Sequence, residues 1–161
     1  MTTLENTRGK IIDHATLANH IAMWRFQNQK IVFTNGCFDI LHRGHIEYLS
    51  QAADLGNILI IGLNTDASVK KLKGKGRPVQ DEEARTLVLA SLRFVDAVVL
   101  FDEDTPYDLI KLVQPDVLVK GGDYTEDTIV GADIVRARGG EVHIIPLTEG
   151  YSTSGILNSK F

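Results

Sequence analysis

Five short apolar runs separated by amphipathic helical patterns, with glycines just past the ends of two of those runs, predict an α/β fold. The expected architecture is a Rossmann-like doubly wound parallel sheet covered by helices on both faces. A chain of 161 residues that is 43% apolar can bury one continuous core, so residues 1–161 are expected to form a single domain, with residues 1–8 as a flexible N-terminal tail.

The elements follow in order. Asp13 can cap a helix over 14–26, with Leu17, Ile21 and Trp24 on one face. The period then changes: residues 30–34 read as a buried strand. Residues 44–54 return to helical spacing, with Ile46, Leu49 and Ala53 facing inward and Gly56 as the stop. A strand over 58–63, helices over 66–72 and 82–92, a strand over 97–101, a helix over 107–113 and a strand over 117–120 continue the alternation. A helix over 129–138, a strand over 142–146 and a short helix after Ser152 complete it. Residues 73–78 read as an extended loop, rich in glycine and charge, and a candidate mobile arm. There is no internal repeat and no low-complexity tract.

Bulk properties narrow the function classes. A net charge of −4 leaves no general basic surface for nucleic acid, so anions must be bound by local clusters. The single cysteine, Cys37, cannot form an internal disulfide, which fits a reducing compartment. Residues 1–10 are polar, and the longest apolar run, 58–63, is too short to span a bilayer. A soluble cytoplasmic protein with no nucleic-acid or membrane partner is expected.

The chemistry concentrates after the first strand, in Thr34-Asn35-Gly36-Cys37-Phe38-Asp39 and His42-Arg43-Gly44-His45. A helix starting near Arg43 or Gly44 would aim its free N–H groups at the sheet's carboxyl edge, where an anion such as a phosphate is favoured. Gly36 permits a tight turn, and Gly44 lets a phosphate approach the backbone. His42 and His45, three residues apart, can face the same anion and stabilise charge that develops there. The alternatives are that one histidine caps the helix or packs in the core, or that His-x-x-His seats zinc.

Further anion sites lie at the same edge. Lys73, Lys75 and Arg77, with Gly74 and Gly76 between them, suit a segment that closes over phosphates, or else form a solvated basic loop. Arg85 could grip a phosphate through its fork, or pair with Glu82. Lys120-Gly121-Gly122-Asp123 follows a strand and either lines the site or is a plain turn. Ser152 and Thr153 precede the last helix and serve an anion or simply cap it. Gly155 in that helix's first turn is a poor helix former. Cys37 is read as a small bystander, since phosphate chemistry needs no thiol.

The His42-Arg43-Gly44-His45 string resembles the nucleotidyltransferase superfamily marked by H-x-G-H. The likeness runs from about Gly9 to Lys160. It includes Asn64-Thr65-Asp66-Ala67-Ser68, Arg77-Pro78-Val79, Glu103-Asp104-Thr105-Pro106 and Val119-Lys120-Gly121-Gly122-Asp123-Tyr124, which resemble the branch of D-glycero-β-D-manno-heptose 1-phosphate adenylyltransferases.

The resemblance implies transfer of AMP from ATP to that sugar phosphate, with Mg2+ carried by the triphosphate rather than by a dedicated protein cage. The product would be ADP-heptose for lipopolysaccharide core assembly. His42, His45, Lys73 and Arg85 would then be catalytic. Thr34, Asn35, Gly36, Cys37, Phe38, Gly44, Lys120, Gly121, Asp123, Ser152 and Thr153 would contact the nucleotide, and Asp39, Asn64, Asp66 and Arg77 the acceptor. A separate sugar kinase upstream is implied as well, and a homodimer is expected only as the commonest assembly. Leu147 stands where related glycerol-phosphate cytidylyltransferases carry an arginine, which counts against a cytidylyltransferase. The rival readings are a glycerol-3-phosphate cytidylyltransferase or flavin nucleotide synthase of the same superfamily and, from another class, a nucleotide-binding regulator without catalysis.

Overall fold

The computed structural model describes residues 1–122 and 124–159. Five strands, β1 (Ile31–Gly36), β2 (Ile58–Asn64), β3 (Ala97–Phe101), β4 (Val117–Gly121) and β5 (Glu141–Ile145), form one sheet in the order β3-β2-β1-β4-β5. Every pairing is parallel. The helices are α1 (Thr3–Arg8), α2 (His14–Phe26), α3 (Arg43–Ala53), α4 (Asp66–Lys73), α5 (Glu82–Ala90), α6 (Tyr107–Val113), α7 (Ala132–Ala137) and α8 (Thr153–Asn158). The chain builds outward from β1 through β2 to β3, then returns to lay β4 on the other side of β1. The β1–β4 junction is therefore the switch point, beyond whose carboxyl ends a doubly wound sheet opens a crevice.

Alternate strand residues feed two separate apolar layers, as the period of the strand requires. Phe33, Ile60 and Val99 meet Leu17, Ile21 and Trp24 of α2 and Leu109, Ile110 and Val113 of α6 on one face. Val32, Leu59, Ile61 and Leu63 meet Leu49 and Ala52 of α3 and Leu89 of α5 on the other. Each large buried side chain of this kind stabilises the fold by about 1.5–3 kcal/mol, which makes the sheet a rigid base for loops at its edge.

Some elements differ from expectation. The buried stripe of α3 is Gly44, Tyr48, Leu49 and Ala52, while Ile46 and Ala53 are only half-buried. The stripe is displaced because Tyr48 finds polar partners inside: its hydroxyl lies 2.5 Å from Thr34 Oγ1 and donates to the Val119 carbonyl at 3.2 Å. The helix expected over 129–138 is shorter and is preceded by a 3-10 turn, Glu126–Thr128. Gly131 separates the two with φ of +88°, where a Cβ would lie 2.6 Å from Ile110 Cδ1.

The first residues also carry structure. Thr2 and Glu5 form a reciprocal capping box at the start of α1. Residues 10–12 then pair with β3, through Val98 N donating to Lys10 O and Ile12 N to Val98 O. That contact covers part of an otherwise open sheet edge. No helix among the described residues is long and apolar enough to cross a membrane.

Candidate active site

A cleft of about 700 Å³ opens beyond the carboxyl ends of the strands. One wall is the β1–α3 connection, from Asn35 to His45. The α4 end with Lys73, the β4 end with Lys120 and Gly121, and the Leu147–Ser154 segment before and into α8 complete that side. Across the sheet edge lie Asp104, Thr105 and Pro106 after β3, and Thr128, Ile129 and Val130 before α7.

At the cleft's centre the rings of His42 and His45 stack, with centroids 3.8 Å apart and planes 24° from parallel. His42 is the N-cap residue of α3, yet its side chain makes no capping hydrogen bond. The Nδ1 atoms of both histidines are buried without any hydrogen-bond partner. Buried polar atoms are nearly always paired, so two adjacent orphans at a helix N-terminus mark a place prepared for a ligand. Burial, and then the neighbouring His42, lower the His45 pKa to about 4. The smaller opposing effect comes from the Ile40 backbone, which lies near the ring without forming a well-aligned hydrogen bond to Nδ1. Burial also lowers that of His42. Both rings are thus neutral at pH 7 in the free protein, and an arriving anion would favour their protonated, donating forms. Gly44 is needed for this arrangement: a Cβ there would lie 3.0 Å from His42 Cε1 and Nδ1.

Around the pair, the backbone is held by a buried polar web. Asp39, 3% exposed, accepts from Arg77 Nε at 2.7 Å, Val79 N at 2.9 Å and Gln80 N at 3.0 Å. Burial by itself would raise its pKa, but the Gln80, Val79 and Arg77 donors outweigh this and hold it below the ordinary carboxylate value. Arg85, 1% exposed, donates from Nη1 to the carbonyls of Cys37 and Asn64, from Nε to that of Gln80, and from Nη2 to Asp66 Oδ1 at 2.7 Å. Two arginines and one aspartate thereby lock the 77–80 loop to the β1–α3 connection.

Comparison with known proteins places this geometry. The cytidylyltransferase-like family model matches residues 33–156. The chain belongs to the cytidylyltransferase-like family. It is a nucleotidyltransferase, as the H-x-G-H string implies.

Among curated relatives it is 53% identical over 148 residues to the bifunctional protein HldE of Magnetococcus marinus and 55% identical over 148 residues to that of Caulobacter vibrioides. Each alignment covers 92% of this chain but only 30% and 31% of the relative, so the chain spans about three-tenths of their length. A solved lipopolysaccharide core biosynthesis protein from Thermoplasma volcanium superposes with a TM-score of 0.60 at 28% identity, covering 77% of this chain and 99% of that one. A pantothenate synthetase from Thermus thermophilus, at 16% identity and a TM-score of 0.64 over 93% of this chain and 68% of that one, shares the fold.

Within this cleft the structure gathers most of the residues singled out from sequence. Asn35, Gly36, Cys37, Phe38, Asp39, His42, Gly44, His45, Asn64, Lys73, Arg77, Lys120, Gly121, Ser152 and Thr153 all line the cleft. Three do not. The Thr34 side chain is fully buried against Tyr48 and faces the core. Arg85 has its fork occupied by backbone carbonyls and Asp66, so it braces the wall instead of gripping a phosphate, and its ionic partner is Asp66 rather than Glu82. Asp66, pulled toward Arg85, borders a separate shallow depression with Lys70 and Arg77 instead of the cleft. Asp123 lies outside the described residues.

Other assignments gain definition. Asn64, 4% exposed, donates to Ser68 Oγ at 2.9 Å. Cys37 Sγ donates to Asn64 Oδ1 at 3.7 Å, and burial raises its thiol pKa, as suits a bystander. Lys120, whose pKa burial lowers, sits with Nζ 5.6 Å from the Tyr124 ring centroid. The Ser152 side chain caps α8 by accepting from Gly155 N, while Thr153 Oγ1 reaches the Ile40 carbonyl at 3.4 Å. Tyr48, Thr148, Tyr151 and residues 104–106 and 128–130 also line the cleft, and the sequence assigned none of them a site role, although Glu103-Asp104-Thr105-Pro106 is one of the strings of the resemblance. Tyr48 lies within α3 and the others in connections between elements, so no spacing along the chain marks their side chains as facing the cleft.

Proposed function

We propose that this chain transfers AMP from ATP to D-glycero-β-D-manno-heptose 1-phosphate, yielding ADP-heptose and pyrophosphate. The observation that carries the reading is the stacked His42–His45 pair, with both Nδ1 atoms unpartnered, at the N-terminus of α3 inside the switch-point cleft. The choice of acceptor is supported by the string-by-string resemblance to the heptose branch and by half the residues being identical to relatives named as bifunctional HldE proteins. The reaction consumes a sugar 1-phosphate, which a sugar kinase would supply.

In the proposed reaction a phosphate oxygen of the sugar attacks the α-phosphorus of ATP in line with the leaving pyrophosphate. One P–O bond forms as the bond to the bridging oxygen breaks, and no covalent enzyme intermediate is involved. The nucleophile is already an anion, so the protein's work is positioning and charge stabilisation, with no general base required. His42 and His45 donate to the reacting phosphates, the α3 amides cradle them, and Lys73 at the end of α4 meets the triphosphate. Lys120 adds a second cation from β4.

Mg2+ bound to the triphosphate would neutralise charge on the departing pyrophosphate. The donor set fits a metal carried by phosphates: the cleft carboxylate Asp39 spends both oxygens on Arg77, Val79 and Gln80, and Asp104 pairs with Lys71.

The test is pyrophosphate release from ATP, with magnesium, against a panel of sugar, glycerol and flavin phosphates. Release with the heptose 1-phosphate alone supports the proposal. Preference for CTP and glycerol 3-phosphate, or for a flavin phosphate, would transfer it to another member of the superfamily. ATP binding with no turnover on any acceptor would point to a regulator.

A further inference from the structure

One wall of the cleft is a loop that no strand pairing supports, the connection from β5 to α8 that carries Leu147, Thr148 and Tyr151. It is tied instead to the solvent side of α3. Glu47 uses its two carboxylate oxygens separately: Oε1 accepts from Arg43 Nε at 2.6 Å, and Oε2 accepts from Thr148 Oγ1 at 2.7 Å. Arg43 in turn donates from Nη1 to the Tyr151 hydroxyl at 3.4 Å, with its guanidinium carbon 5.5 Å from the centroid of the same ring.

Arg43 is the first residue of α3, where a cation opposes the helix dipole, and it precedes its acidic partner in the weaker i,i+4 order. Local helix stability does not account for it. The arrangement is coherent as a clasp between the helix that presents His42, Gly44 and His45 and the loop that faces them. Glu47 lies at its centre, and it is not itself among the cleft-lining residues.

We propose that Glu47 is a positioning residue: through Thr148, and through Arg43 and Tyr151, it sets the β5–α8 loop against the His42–His45 pair and so fixes the width of the nucleotide cleft. Its effect on ATP rests on the adenylyltransferase reading above, whereas its effect on the loop does not. Loss of the clasp leaves the reacting groups in place and loosens the wall that closes on the nucleotide. Ground-state binding should therefore suffer while the chemical step is kept.

Two measurements on the full chain test this. In amide hydrogen exchange without ligand, residues 147–152 should exchange about fivefold faster in Glu47→Ala and in Thr148→Val, as the loss of one hydrogen bond predicts, and at the native rate in Thr148→Ser. In turnover, Glu47→Ala should raise KM for ATP about fivefold with kcat unchanged, and adding Thr148→Val should add little. Unaltered exchange over 147–152 would overturn the clasp. A looser loop with an unaltered KM in an active enzyme would reduce it to a structural tie and overturn positioning. If the native chain neither binds nor uses ATP, the adenylyltransferase reading falls, and exchange alone still decides the clasp. Should Glu47→Ala fail to fold, Glu47→Gln, which removes the charge and keeps the shape, takes its place with the same expected direction.

Discussion

Arg85 Nη1 donates to the carbonyl oxygen of Cys37 at 2.9 Å and to that of Asn64 at 2.8 Å, joining α5 to the ends of β1 and β2 from beneath the cleft. A charged donor with 1% exposure that satisfies two backbone carbonyls cannot be removed without leaving those carbonyls buried and unpaired. Arg85→Ala should therefore destabilise the fold by about 3–5 kcal/mol, and Arg85→Lys should rescue only part of this because an ammonium lacks the planar fork. Urea denaturation measures both; a loss of activity with native stability would return Arg85 to the catalytic set.

The His42–His45 pair should matter to turnover far more than to binding. Under the proposed reaction, His42→Ala or His45→Ala should raise the barrier by about 2.7–4 kcal/mol, the magnitude associated with a lost donor to developing charge. Calorimetric affinity for ATP should change much less than kcat.

Acid should destabilise the chain through His45. Its folded pKa, about 4, lies below the unfolded reference of 6.5, so between those values the unfolded chain binds the additional proton. Stability is complete above pH 6.5 and is lost as pH falls toward 4. Thermal melting should follow this course, and a His45→Asn variant, with nothing to titrate, should show a shallower slope over the same window.

A side chain at position 44 should disturb the His42 ring. A Cβ at that position would lie 3.0 Å from the His42 ring and 3.4 Å from Tyr151 Cβ, so Gly44→Ala must displace the imidazole. A sharp fall in kcat with a melting temperature close to native is expected from paired activity and melting measurements.

Cys37 should be a poor nucleophile. Burial raises its thiol pKa despite the nearby Lys73, Arg85 and Arg77, so alkylation by iodoacetamide should be slow at pH 7 and accelerate only in alkali. Fast modification at neutral pH would contradict that environment.

Most of the scaffold was legible because the strands are short and apolar and the caps are explicit. Asp13 caps α2 as expected, through the Thr16 amide at 2.7 Å. The failures share one cause. Thr34, Asp66 and Arg85 carry the chemistry of a binding site, but Tyr48 claims the first, and the other two claim each other. A polar side chain that serves the wall of a site reads in sequence like one that faces the ligand, because the difference is only the direction in which it points.

The sequence by itself determined the alternation of strands and helices, the helix start after the first strand, and the family, since these depend on local pattern and on residue strings. Only the tertiary structure decided that His42 and His45 stack with orphaned nitrogens and that Asp39, Arg77 and Arg85 spend themselves on the loop behind them. It also decided that Glu47 reaches Thr148, 101 residues away. Such relationships arise when packing brings distant segments within hydrogen-bond range, and no periodicity along the chain encodes them.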